Sequence, residues 1–212
     1  RDKSLQSTRR AQQYILTEKY TKSTQKIWEE GRSNRVVAVN SPIKDIKIIE
    51  QIKELYKKKG AIRDLLLFTL AINTGINLLD LLKLNVGDVR GKFYLNFEED
   101  KSIPISDEMK ALIDAVSEGR DDDDPLFVSV RGHRIERSYV FNSFKEICRE
   151  LGILGKYSVV SWRKTFAYHY YQKYRDLSYL QWLFNQSSIK LTLQFIDEYE
   201  NMNLRFREGV CL

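Results

Sequence analysis

The stretch Asp64–Ile72 constrains the fold most, because it is apolar almost all the way round. A helix that is hydrophobic on every face cannot lie on a surface, so other segments must wrap it. The sequence supplies them. Asp45 stands in front of Ile46, Ile49, Ile52 and Leu55, an apolar face at helical spacing, and is placed to cap that helix. Lys57-Lys58-Lys59-Gly60 closes it, with cations at the negative end and glycine as the stop. Thr74-Gly75 ends the apolar run, and a short amphipathic helix follows around Leu78–Leu84. Further helices are predicted over Ser106–Val116 with Ser106 as cap, and over Ser138–Leu151, Trp162–Tyr174, Leu177–Phe184 and Ser188–Tyr199. Strand-like patterning is confined to two places. Lys92-Phe93-Tyr94-Leu95 and Ser102-Ile103-Pro104-Ile105 flank Glu98-Glu99-Asp100, which reads as a hairpin turn, and Leu126–Val130 reads as a short strand. The expected fold is mainly α with a small antiparallel β-sheet.

Composition narrows the class. Of 212 residues, 42% are hydrophobic, enough to bury the core of one good-sized domain and to exclude disorder of the whole chain. A net charge of +6 favours a polyanionic partner, nucleic acid first. The two cysteines, Cys148 and Cys211, are far apart and carry no metal-ligand spacing, which suits a reducing cytoplasm and argues against a disulfide framework. The acidic run Asp121–Asp124 lacks spaced partner ligands and reads as a solvated loop. No apolar run reaches membrane-spanning length, and neither a metal nor another cofactor is expected.

Three segments carry a resemblance: Leu66–Val89, Ser161–Tyr171 and Leu183–Ile196. In order and spacing they resemble the tyrosine recombinase (phage integrase) family, over about Ser41–Glu200. The resemblance implies a catalytic-domain-like α+β fold. It also implies a chemistry in which a tyrosine attacks a DNA phosphodiester while two arginines hold the phosphoryl oxygens. A hairpin lysine protonates the leaving oxygen, and a histidine with a second His or Trp moves protons. Carried over position by position, that machinery is depleted. Asn77 follows Thr74-Gly75-Ile76 where the first arginine belongs, Val160 replaces the histidine, Gln186 stands at the second His/Trp position, and Phe195 stands at the nucleophile. Arg163 and the acidic Asp80 are kept. Lys101 is the one local candidate for the hairpin lysine. The chain's histidines, His133 and His169, fall on none of these positions.

The combined losses imply a protein that is no longer an enzyme but retains the family's grip on double-stranded DNA. The family lays a helix in the major groove, and the matching helix here starts near Ser138, after Arg131, Arg134 and Arg137. Its first turns offer Ser138, Tyr139, Asn142 and Lys145, and asparagine can read adenine bidentately. Asn77, Lys101, Arg163 and Lys164 complete the expected DNA contacts. The leading expectation is a sequence-specific repressor of phage or prophage origin, like the SPβ-type master repressors that resemble inactive recombinases. It would act in the bacterial cytoplasm on the nucleoid. Two alternatives stand beside it. One is an active or engineered recombinase, with Phe195 a Tyr→Phe trap or with Tyr199, one helical turn and about 5–6 Å further on, as nucleophile. The other is an inactive subunit accessory to an active recombinase. Residues 1–40 are expected to be a helical segment or linker, either the end of an N-terminal DNA clamp or an independent helix. Residues 41–200 form the recombinase-like domain, and 201–212 a tail through which copies could associate.

Overall fold

The computed structural model describes residues 40–97 and 100–199. The expected N-terminal helix over Thr8–Glu30, the tail over 201–212 and Glu98-Glu99 of the hairpin turn lie outside the described residues. Helix α1 spans Ile46–Lys58, and Asp45 caps it by accepting a 2.9 Å hydrogen bond from the Lys47 amide. Its buried face is Ile52, Leu55 and Tyr56, whereas Ile46, expected on that face, is exposed in the first turn. Helix α2, Ile62–Thr74, is the wrapped element: ten of its thirteen residues are buried. It stops at Gly75, whose φ of +69° favours glycine; an added Cβ would also lie 2.5 Å from the Phe166 ring.

Several of the remaining elements pack against α2. A four-residue helix, α3, covers Leu78–Leu81 and is shorter than expected, giving way to a turn and then a 3-10 turn at Val86–Asp88. Strands β1 (Tyr94–Phe97) and β2 (Lys101–Pro104) pair antiparallel with Leu95 opposite Ile103, both inward, and Phe97 opposite Lys101. Helix α4, Asp107–Ser117, is capped by the Ser106 hydroxyl. Helices α5 (Arg137–Glu150), α6 (Val160–Tyr174), α7 (Leu177–Leu183) and α8 (Ile189–Phe195) complete the domain. The core is locked where three of them meet. Phe68 of α2 and Phe144 of α5 each present to Trp162 of α6 edge-on, at 5.4 and 5.1 Å between ring centroids. The entering chain is stitched to α6: the Ile43 amide donates to Thr165 Oγ1, and the Ile43 carbonyl lies 2.9 Å from His169 Nε2. His169 is thus a packing residue.

Two expectations about elements are corrected. Leu126–Val130 is not a strand. Leu126 and Phe127 are buried, but the chain turns at Gly132 (φ +78°) and makes only isolated bridges, Asn85 to Pro125 and Val128 to Arg134. Helix α8 ends at Phe195, not Tyr199. Asp197 adopts φ +56°, its amide bonds the Gln194 carbonyl, and the Glu198 amide reaches back 2.9 Å to the Leu193 carbonyl. This Schellman closure satisfies the last carbonyls and turns the chain away. The acidic run forms a turn in which Asp124 accepts from the Asp121 amide and Asp122 pairs with Arg90 at 3.0 Å. Among the described residues no helix is long and apolar enough to cross a membrane.

Candidate functional site

Three helix beginnings converge on one cavity of about 470 Å³. Asn77, the N-cap of α3, lines it with Ile76, Leu78 and Leu79; Ala71 of α2 lies beside them. Arg137, the first residue of α5, contributes the opposite side with Phe141. Val160, the first residue of α6, adds a third side with Val159, Trp162 and Arg163, and Phe195 closes the wall from the end of α8. Four of the positions singled out in the sequence, Asn77, Val160, Arg163 and Phe195, therefore face one space, and Arg137 joins them.

Each side chain has local commitments that set what it can do. The Asn77 carbonyl oxygen accepts from the Asp80 amide at 3.0 Å, and its amide nitrogen donates to the Asp80 carboxylate, which also pairs with Lys83 at 2.9 Å. Asn77 is thus a helix cap, with no fixed charge to offer a phosphate. The Arg163 guanidinium stacks 4.5 Å from the Phe184 ring centre, and Lys164 Nζ lies 5.5 Å from that of Phe195. The two rings are themselves 5.2 Å apart. Phe195 keeps an aromatic face for the cation but has no hydroxyl with which to attack phosphorus.

Other nominated residues lie elsewhere. Gln186 does not line the cavity; its side-chain oxygen accepts a 2.7 Å hydrogen bond from Thr192. Lys101 is buried under the end of α7, its Nζ 2.8 Å from Asn185 Oδ1 and 3.3 Å from the Leu183 carbonyl. A cation there complements the negative helix end. Arg134 is committed to loop bracing: it donates to the Leu82 and Leu84 carbonyls at 2.9 and 3.0 Å and to the Asn85 side chain. Arg131, Arg137, Ser138, Asn142 and Lys145 are all exposed, the last four on α5. Tyr199 does not line the cavity, because the turn at Asp197 removes it from the helical path of Phe195.

Sequence reasoning did not find a polar knot beside this site. Asp64, buried on α2, accepts from Arg63 Nε (2.8 Å), Tyr139 Oη (3.1 Å) and Ser143 Oγ (3.0 Å). Arg63 also donates to the Val128 carbonyl at 2.6 Å and to the Tyr139 hydroxyl at 2.5 Å. Burial, and then the Asp64 charge, push the Tyr139 phenol above its ordinary pKa, so it stays a neutral donor. The available signal was a carboxylate inside an apolar run, which must find donors when buried.

Comparison with known proteins fixes the lineage. Residues 45–202 match the model of the phage integrase family. The chain is also 31% identical over 163 residues to the probable integrase/recombinase YoeC of Bacillus subtilis, across 73% of this chain and 88% of YoeC. The chain belongs to the phage integrase family.

Within that family it is 25% identical to the tyrosine recombinase XerD of Oceanobacillus iheyensis, over 73% of this chain and 59% of XerD. Among solved structures, the XerA recombinase superposes with a TM-score of 0.65 at 18% identity, covering 81% of this chain and 66% of that one. A lambda integrase dimer bound to a COC′ core site gives 0.59 at 20% identity, covering 87% and 54%. These likenesses place the fold among tyrosine recombinase catalytic domains. The chain spans less than two thirds of the XerD, XerA and lambda integrase chains.

Proposed function

We propose that this integrase-family chain binds double-stranded DNA sequence-specifically without cleaving it, and acts as a transcriptional repressor of phage or prophage origin. The observation that carries the reading is Phe195. It occupies the position that matches the family's nucleophile, it lines the same cavity as Asn77, Val160 and Arg163, and it has no hydroxyl. Strand cleavage by this family's chemistry requires a nucleophilic oxygen, fixed charge on the phosphoryl oxygens and a proton donor. Of these, the cavity keeps the charge, through Arg163 and Arg137. The DNA grip is assigned to the exposed Arg131, Arg137, Ser138, Asn142 and Lys145, with Lys164 beside the cavity. Helix α5 would meet the major groove at its N-terminal turns, where asparagine can read a base and cations can hold phosphates. The lambda integrase likeness supports a DNA partner, since that structure is bound to a core site.

The decisive experiment pairs binding with cleavage. DNA fragments selected from host and prophage sequence are titrated across salt, then offered as nicked suicide substrates. Tight, salt-sensitive, site-selective binding with no covalent adduct is the expected result. A phosphotyrosyl adduct overturns the reading.

A further inference from the structure

Arg63 spreads its guanidinium over three partners from three parts of the fold. Nε donates to the Asp64 carboxylate at 2.8 Å, one Nη to the Val128 carbonyl at 2.6 Å and the other to the Tyr139 hydroxyl at 2.5 Å. Val128 and Tyr139 lie 65 and 76 positions further along the chain. The same guanidinium covers the Tyr139 ring, 4.7 Å from its centre. Two of these partners belong to segments assigned to DNA. Val128 opens a loop that is closed by its bridge to Arg134 and by a 2.7 Å hydrogen bond from the Ser129 amide to the His133 carbonyl, with Arg131 exposed at the turn. The far end of that loop is held separately, by Arg134 on the Leu82 and Leu84 carbonyls. Tyr139 lies in the first turn of α5, between Ser138 and Asn142, and Ser143, a turn further on, donates to the same Asp64 carboxylate. Loop and helix thus meet at one planar group, anchored on a buried acid of α2.

We infer that Arg63 is a positioning residue for sequence reading. It sets the spacing between the Arg131 loop and the first turns of α5, so that a phosphate contact and a base contact fall in register on one duplex. Tyr139 acts with it, as a post for the guanidinium rather than as a contact to DNA. The inference rests on the DNA-binding reading above and names what makes that binding selective. Selective binding needs phosphate contacts that hold the helix in register with base edges, whereas binding to random sequence draws on charge. Loosening the spacing therefore lowers affinity for a preferred site more than affinity for random DNA. Lysine cannot substitute, because a point charge on a flexible stem does not hold three acceptors in one plane.

The test titrates the full chain with the fragment it binds most tightly and with a random-sequence duplex of equal length, at several salt concentrations. Arg63→Lys and Tyr139→Phe are each expected to lower the ratio of the two affinities roughly tenfold, about the effect of one mismatched base pair. Neither changes the net charge, so the salt slope on random DNA should hold. The double variant should be no less selective than the worse single one, because both cut the same link. Thermal unfolding is followed alongside. Tyr139→Phe, which removes only a hydroxyl from an exposed ring, decides the matter if Arg63→Lys does not fold. Parent selectivity in both variants would overturn the inference. So would an equal loss on both DNAs, which reports loss of folded protein and nothing more. A direct phosphate contact would overturn it in another way: Arg63→Lys would select like the parent, and Arg63→Gln would make the salt slope shallower by about one unit. The functional reading fails in the parent chain itself, by showing no preferred fragment or by forming an adduct, whereas unchanged variants of a selective parent remove the positioning role alone.

Discussion

Helices α2 and α5 meet at two seams of opposite character. At the first, Asp64 is ringed by Arg63, Tyr139 and Ser143, and the buried carboxylate accepts from all three. At the second, Ala71 and Phe141 help enclose the cavity with two arginines and a mostly apolar wall. A buried charge held by three donors contributes to a fixed fold; a hollow walled mostly by hydrocarbon leaves space that the domain's own side chains do not fill. The first seam is closed by polar contacts, whereas most of the wall at the second is hydrocarbon. Asp64 and Tyr139 fix how the first turns of α5 sit, and those turns carry the residues assigned to DNA.

The comparison can be broken from either side, and the largest effect is expected at the saturated seam. Asp64→Ala leaves the half-buried Arg63 without its carboxylate, and the Tyr139 and Ser143 hydroxyls without their acceptor, and should cost about 3 kcal/mol of stability. Urea unfolding measures this, and a loss well under 1 kcal/mol would mean the knot does not hold the two helices together. A smaller, two-sided effect is expected from Asn77→Arg at the cavity. Loss of the α3 cap costs about 1 kcal/mol, while the added cation steepens the salt dependence of DNA affinity by about one unit. An unchanged slope would show that this position does not approach a phosphate. The smallest effect is reserved for Phe195→Tyr. Stability should move by no more than about 0.5 kcal/mol, and no covalent adduct should form on a nicked substrate, because Asn77 and Val160 still lack charge and proton-transfer capacity. An adduct from this single change would show that the cavity lost only its nucleophile.

The helices were legible because their signals are local. Asp45 and Ser106 cap where the sequence places them, and the apolar run around Leu66–Leu70 can be nothing but interior. What escaped depends on groups distant in sequence. The end of α8 is set by a left-handed Asp197, a conformation that the side chain permits but does not announce. Leu126–Val130 has a strand's composition, but it finds no strand to pair with. At the site, Asn77, Val160, Arg163 and Phe195 meet on one cavity because motif spacing on packed helices encodes position. Lys101 and Gln186 are instead drawn to α7 and α8 by hydrogen bonds that spacing cannot show. The Asp64 knot joins residues 75 and 79 positions apart in sequence, so a local reading sees a lone acid and not its donors.

The buried lysine of the hairpin has a mechanical consequence. Lys101 grips Asn185; the next residue, Gln186, holds Thr192; and Thr192 lies on the helix that ends at Phe195 in the cavity wall. The hairpin, the turn after α7 and α8 are thereby strung on one line of direct contacts, like a tie rod. Strand β2 cannot swing clear of the domain without first releasing Asn185, so a load applied to it is borne by the segment that shapes the cavity.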